Sequence, residues 1–364
     1  MEIVFRCDAS LQVGTGHVMR CLTLADALVK QGAKCHFICR EHTGHLLGMI
    51  QQHGHQTYSL SLKENVKELD RNSTKLAHAN WLGATQSEDA QLCIELLQMV
   101  QPDWLIVDHY AIDISWEKAV RPYCKKLMVI DDLADRRHDC DILLDQTFGR
   151  DIKDYTGWVP EHCQLLCGSK YALLRPEFAQ WRDYSLKRRN GGLLKHLLVN
   201  LGGVDKDNIT IQILKGLQKS SLPECCKITV VMGSTAPWIE SVKTQAAMLP
   251  WKTEVKTGVS NMAELMANSD LAIGAAGSTS WERCCLGLPT IMLVLAENQQ
   301  KIAINLEQAN AVDTINLALS FEVSVSNAIQ RFISSSLLLK QMSESTSDIL
   351  DGLGTNLIIK EMVT

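Results

Sequence analysis

No basic excess, no disulfide pattern and no membrane-length apolar run occur in this sequence of 364 residues. Each absence removes a class of function. Lysine and arginine number 36 against 41 aspartates and glutamates, a formal net charge of −5, so composition forces no basic face suited to nucleic acid. Thirteen cysteines is a high count, but the number is odd, Cys225-Cys226 and Cys284-Cys285 are adjacent, and no CxxC occurs. Cys21 and Cys93 fall on apolar helical stripes, so the cysteines read as small hydrophobes of a reduced protein. The opening MEIVFRCDAS lacks the basic stretch and apolar run of a secretion signal. No apolar segment approaches the roughly 18 to 20 residues that span a bilayer. A soluble, cytoplasmic protein without nucleic-acid or membrane partners is expected. GxxxxGK[ST] and GxGxxG are also missing, which counts against ATP and NAD. No His/Asp spacing forms a convincing metal-ligand set, and no cofactor is expected.

What is present points to an α/β enzyme or binding protein. Hydrophobic content is 46% and charged content 21%, ordinary for a globular chain, and the length favours two domains. The apolar run Ile3-Val4-Phe5 leads into Gly14-Thr15-Gly16-His17, and then Val18, Cys21, Leu22, Ala25, Leu28 and Val29 recur at helical spacing. Strand, glycine turn and helix in this order leave backbone N–H groups at a helix start, where anions are favoured. Gly14 and Gly16 permit close approach of another molecule, and His17 carries the side chain best suited to proton transfer near pH 7. The same residues also fit a tight turn with a packed or capping histidine.

Further strands are expected at 35–39, 104–107, 127–130 and 142–144, separated by amphipathic helices. This is the pattern of a parallel sheet covered on both faces. Residues 61–86 are polar and uneven and receive no assignment. Asp108, Asp131 and Asp132 follow strand ends, where aspartates cap the next helix more often than they bind metal. A charged, glycine-containing break at 180–195 marks the expected domain boundary, giving domains 1–185 and 195–364. After it the pattern restarts with Leu197-Leu198-Val199 and Gly202-Gly203. A helix is expected from Asn261, and another in the tail from about 320.

The second informative stretch is Gly277-Ser278-Thr279-Ser280-Trp281-Glu282, where a strand enters a loop of small residues and a helix starts near Ser278 or Thr279. Such a turn can donate several N–H bonds to a diphosphate. Glu282, about one turn into the helix, can accept hydrogen bonds from ribose hydroxyls, or can be an ordinary first-turn acid favoured by the helix dipole.

Together these stretches resemble a known family, the UDP-sugar hydrolases of pseudaminic acid biosynthesis. Its members act on UDP-2,4-diacetamido-2,4,6-trideoxy-β-L-altropyranose. The likeness lies in Arg6-Cys7-Asp8-Ala9-Ser10 with Gly14 to Arg20, in Val107-Asp108-His109-Tyr110, in Asp131-Asp132 with His138 to Leu144, in Tyr171 to Phe178, in Gly202-Gly203-Val204-Asp205, in the stretch from Gly274 to Pro289, and in Asn298-Gln299. It covers roughly residues 1–310, weakly over 61–100. The second-domain stretch is shared more widely with UDP-sugar enzymes, including the glycosyltransferase that completes the peptidoglycan lipid precursor.

The resemblance implies two Rossmann-like α/β domains facing a cleft, the glycosyltransferase-B fold. It implies hydrolysis at the anomeric carbon with inversion and without metal, releasing UDP and 2,4-diacetamido-2,4,6-trideoxy-L-altrose. His17 matches the family's catalytic histidine, with Tyr110 and Asn298 as supporting residues. Without the resemblance these two read as a satisfied core tyrosine and a helix N-cap. Gly14 and Gly16 would face the sugar. Gly277, Ser278, Thr279 and Glu282 would hold UDP, with the backbone at Gly258-Val259 meeting the uracil edge. Other enzymes of the same pathway are conceivable partners. Two alternatives stay open: a glycosyltransferase of the same fold using a UDP-sugar donor, and a non-catalytic nucleotide-sugar binding protein.

Overall fold

A computed structural model describes residues 1–62, 76–189, 191–315 and 320–363. The chain forms two compact units, residues 1–173 with 354–364, and residues 174–353. Of the unassigned stretch 61–86, residues 63–75 lie outside the described ones.

The first unit is built on seven parallel strands: β1 (Glu2–Cys7), β2 (Lys34–Arg40), β3 (Gln56–Leu60), β4 (Trp104–Asp108), β5 (Lys126–Ile130), β6 (Ile142–Asp145) and β7 (Gln164–Cys167). Their order is β3-β2-β1-β4-β5-β6-β7, all pairings parallel. Helices on both faces explain why the strands are nearly continuous apolar runs rather than alternating ones. On one face Ile3, Phe5 and Cys7 pack with Cys21, Leu22 and Ala25 of the Gly16–Val29 helix, and with Ile358, Ile359 and Met362 of the Gly354–Val363 helix. On the other, Val4 joins Leu105, Val107, Cys93, Leu97 and Trp116.

The second unit repeats the plan with six parallel strands: β8 (His196–Asn200), β9 (Lys227–Met232), β10 (Thr253–Thr257), β11 (Leu271–Ala275), β12 (Thr290–Leu293) and β13 (Asp313–Ile315). The order is β10-β9-β8-β11-β12-β13. Leu197, Val199, Ile228, Val230, Leu271 and Ile273 form its core with Ile213, Leu214, Ile329 and Phe332 from helices.

Two features differ from the sequence expectation. The division falls at Leu173/Leu174, upstream of 185–195, because the charged stretch lies on a helix, Pro176–Arg189, that belongs to the second unit. Its arginines satisfy carbonyls there: Arg189 donates to Leu286 O at 2.6 Å, Met266 O at 2.7 Å and Ser269 O at 2.8 Å. The second difference is the C-terminal helix, which returns to the first unit. All thirteen cysteines are free, nine of them buried, which agrees with their reading as small hydrophobes.

Among the described residues no helix is long and apolar enough to cross a membrane.

Candidate functional site

In each sheet the strand order reverses at the first strand of the unit: β1 lies between β2 and β4, and β8 between β9 and β11. In open α/β sheets ligands bind beyond the carboxyl ends of the strands at such a point. The two stretches singled out in the sequence both sit there.

In the first unit the chain leaves β1 and closes a small loop. Gly14 N–H donates to Ser10 O at 2.9 Å, Ser10 N–H returns to Gly14 O at 3.3 Å, and Ser10 Oγ accepts from the N–H groups of Gln12 and Val13. Gly14 has φ +82°, a left-handed conformation that only glycine adopts without strain. Thr15 stands at the N-cap of the Gly16–Val29 helix and gives it no side-chain hydrogen bond.

His17 therefore enters at the first turn of that helix, 7% exposed. Its Nδ1 lies 2.6 Å from Oδ1 of Asp108, the last residue of β4. Arg20, one turn further along the same face, donates Nε to Asp108 Oδ2 at 2.6 Å and Nη2 to Oδ1 at 2.7 Å. Its Nη1 donates to Asp132 Oδ2 at 2.6 Å, and that oxygen also accepts the Tyr110 hydroxyl at 2.8 Å. The Tyr110 ring meets the His17 imidazole edge-on, centroids 4.6 Å apart. Trp81 and His78 also pack on Tyr110, ring centroids 5.9 and 5.5 Å apart.

Electrostatics fix the protonation pattern. Burial would push the Asp108 carboxyl up, but Arg20 and then His17 hold it well below the usual range. An ionised carboxylate only accepts, so the imidazole donates through Nδ1, and in the neutral ring the lone pair is then on Nε2. Among the described residues Nε2 makes no hydrogen bond. Burial, and then the Asp132 charge, push the Tyr110 phenol well above its ordinary value, so it stays a neutral donor.

The strand-end aspartates do not cap helices, contrary to expectation. Asp108 and Asp132 are taken up by this side-chain ladder. Asp131 accepts from Tyr155 Oη at 2.9 Å and Ala134 N–H at 2.9 Å and pairs with Arg136 at 2.7 Å. The helix after β4, Ile114–Val120, is capped instead by the adjacent Asp113. Among the described residues no group of three or more His, Cys, Asp or Glu is arranged to hold a metal ion.

In the second unit β11 runs into Ala276, Gly277 and Ser278, and the helix Thr279–Cys285 follows. Ser278 is exposed, Gly277 and Thr279 half-buried. Gly274 inside β11 has a packing role. A Cβ there would come 2.4 Å from Arg283 Nη1 and 3.0 Å from Asn200 O. The buried Arg283 guanidinium fills that space, donating to Ala275 O at 2.7 Å, Ser280 Oγ at 3.1 Å and Thr279 Oγ1 at 3.1 Å. Glu282 has no such network. Its nearest cation is Arg175, 3.8 Å away, and burial raises its carboxyl above the ordinary value despite Arg175. Val259, half-buried, follows β10 at the same edge of the sheet.

Asn298 lies in the Glu297–Gln299 turn after β12. It is not the N-cap of the Gln300–Gln308 helix, since that position belongs to Gln299, and its side chain makes no hydrogen bond among the described residues. The fold thus brings His17 and Tyr110 together in the first unit and carries Asn298 in the second. Tyr110 is also the satisfied buried tyrosine that its residue type alone allows. Sequence reasoning passed over two partners of His17, Asp108 and Arg20. Arg20 had a signal, its helical spacing of three from His17.

With this geometry in view, similarity to known proteins narrows the reading. Residues 197–353 match the glycosyltransferase family 28 C-terminal domain. That match takes in Gly277, Ser278, Thr279 and Glu282 as well as Val259 and Asn298. Over 304 residues the chain is 29% identical to a Campylobacter jejuni UDP-2,4-diacetamido-2,4,6-trideoxy-β-L-altropyranose hydrolase, a match covering 83% of this chain and 95% of that protein. An uncharacterised Methanocaldococcus jannaschii protein is 27% identical over 305 residues, again 83% of this chain but 57% of its own length. The chain therefore spans little more than half of that relative. Among solved structures, MurG of Acinetobacter baumannii superposes with a TM-score of 0.68 at 14% identity, covering 100% of this chain and 99% of that one. The fold is the two-domain α/β glycosyltransferase-B fold that the resemblance implies, and the similarity to the altropyranose hydrolase extends over 83% of the chain.

Proposed function

We propose that this chain is an enzyme acting on a UDP-sugar, and that it hydrolyses UDP-2,4-diacetamido-2,4,6-trideoxy-β-L-altropyranose with inversion to UDP and the free sugar in pseudaminic acid biosynthesis. The observation that carries the chemistry is the His17–Asp108 pair at 2.6 Å, with Nε2 of His17 left without a partner among the described residues. The named Campylobacter relative supports the substrate.

In this reading a water sits on the face of the sugar opposite UDP. Its oxygen attacks the anomeric carbon while its proton passes to His17 Nε2. The bond from that carbon to the diphosphate oxygen breaks, and UDP leaves with the electron pair. Asp108 holds the imidazole in the tautomer that can accept, and stabilises the imidazolium that forms. Tyr110 braces the ring, and Asn298 contributes a free amide. Gly14 and Gly16 let the substrate approach the backbone. The second unit supplies the nucleotide site: N–H groups at Gly277, Ser278 and Thr279 for the diphosphate, Glu282 for the ribose, and the backbone at Val259 for the uracil edge. Backbone donors of this kind stabilise charge on the leaving diphosphate, the task a divalent ion performs elsewhere.

The test is to incubate the purified protein with the UDP-diacetamido sugar, a chelator and no acceptor. Release of UDP and free sugar in equal amounts is expected, with the first-formed anomer inverted by NMR. The family 28 domain and the MurG-like fold favour one second reading, a glycosyltransferase. It requires turnover only after an acceptor is added. Tight UDP-sugar binding with no turnover under either condition would instead mark a binding protein.

A further inference from the structure

The ladder around His17 contains one cation and two carboxylates. Arg20 spends both edges of its guanidinium on Asp108 and Asp132, at 2.6 to 2.7 Å, and is itself buried. His17 and Arg20 are one helical turn apart, so the same short stretch of helix supplies the base and the cation beside it. Without that cation, Asp108 beside the imidazole and Asp132 beyond it would leave two negative charges uncompensated in the ladder. We infer that Arg20 is a positioning residue whose charge, 3.5 Å from His17 Nδ1, keeps the His17 imidazole unprotonated at neutral pH by offsetting the Asp108 carboxylate that faces it. With Arg20 in place, the ladder carries a net single negative charge while His17 is neutral. Its removal doubles that charge, and a proton on His17 becomes the nearest compensation.

The other ionisable groups near His17 leave this role to Arg20. On its own helix Cys21 points its thiol at Asp108 Oδ2, 3.6 Å away, and burial raises that thiol to about 11, so it carries no charge. After β4, Tyr110 is a neutral donor and His109 is committed to Asp8 at 3.2 Å. Asp8, at the end of β1, has its own cation in Arg6 at 2.7 Å. Arg136 lies 5.9 Å from the Tyr110 ring and pairs with Asp131. His78 lies against Tyr110, ring centroids 5.5 Å apart, with no contact to His17 among the ring contacts of the described residues.

The inference deepens the proposed role of His17 as base, and rests on that reading only for its effect on turnover. The experiment is a proton NMR titration of the His17 ring in the full chain, wild type against Arg20→Met and Arg20→Lys, beside pH profiles of kcat/KM for the UDP-diacetamido sugar. Charge effects between groups in contact move titrations by about one to three units. Arg20→Met should therefore move the His17 midpoint upward by about one unit or more, and Arg20→Lys by less. The acid limb of kcat/KM should rise in step, so that kcat/KM at pH 7 falls about two- to threefold or more while UDP affinity is unchanged. An unmoved or lowered His17 midpoint in Arg20→Met would overturn the inference. If that variant does not fold, the charge-neutral Arg20→Gln is titrated in its place, and a midpoint at or below the wild-type value overturns the inference equally. A raised midpoint with an unmoved acid limb would uphold the role of Arg20 and sink His17 as base.

Discussion

The two switch points of this molecule share a plan and differ in what they hold. At β1/β4 the carboxyl edge is packed with side chains that ionise: His17, Asp108, Arg20, Asp132 and Tyr110 in one continuous hydrogen-bonded ladder. At β8/β11 the edge is backbone and small residues, with Glu282 left almost unpaired and Arg283 turned inward to fix the loop. A group that moves a proton needs partners that set its tautomer and charge. A surface that holds an anion needs donors and little else. The contrast suggests that one fold, used twice, has been divided into a reacting half and a holding half.

Substitutions can break or sharpen that division. The largest effect is expected for His17→Ala, which removes the proposed base. Turnover should fall by about 10³-fold, within the range of general-base contributions, with UDP affinity in calorimetry changed less than about twofold. Near-normal turnover would end the assignment. Asp108→Asn comes next. The amide can offer a donor to Nδ1 and reverse the tautomer, so kcat should drop by about 10²-fold or more with KM little changed. Loss of binding with normal kcat would show that the first unit holds rather than reacts.

Glu282→Gln should act the opposite way. UDP affinity is expected to fall about tenfold, the order of one hydrogen bond to a charged group, while kcat at saturation stays within about twofold. Its stability effect has a definite sign. Burial raises the Glu282 carboxyl, so the stability that its neutral form contributes is present below the usual glutamate range and lost as pH rises through the raised value. At pH 7 the glutamine variant should thus unfold at equal or higher urea than wild type, which a denaturation curve reads directly. Tyr110→Phe is the smallest change. Its hydroxyl is already committed to Asp132, so a loss in kcat of only a few fold is expected. A 10²-fold loss would mean that the hydroxyl reaches the substrate.

Local order was legible in the sequence and long-range partnership was not. The strand, glycine turn and helix around His17, and the corresponding elements around Glu282, follow from spacing and residue type. Asp108 stands 91 residues from His17, and a strand-end aspartate looks the same whether it caps a helix or orients a base. Only the register of β1 beside β4, Cys7 opposite Asp108, decides between the two. The charged stretch before residue 190 misled for a related reason. A run of arginines reads as a solvated linker until the carbonyls that accept from it are known. Leu357 to Ile359 was recognisable as an apolar stretch, yet periodicity does not say which sheet it covers.

That last helix has a consequence for how the protein is made. Ile358, Ile359 and Met362 are almost wholly enclosed in the first unit, and their burial contributes about 1.5–3 kcal/mol each. Such a sum is comparable with the net stability of a typical domain. On the ribosome the second unit has all its strands before the first has its last helix. The half proposed to react is therefore the half that closes its core last, so a chain stopped short of Gly354 would carry an intact second unit and a first unit with an open apolar face.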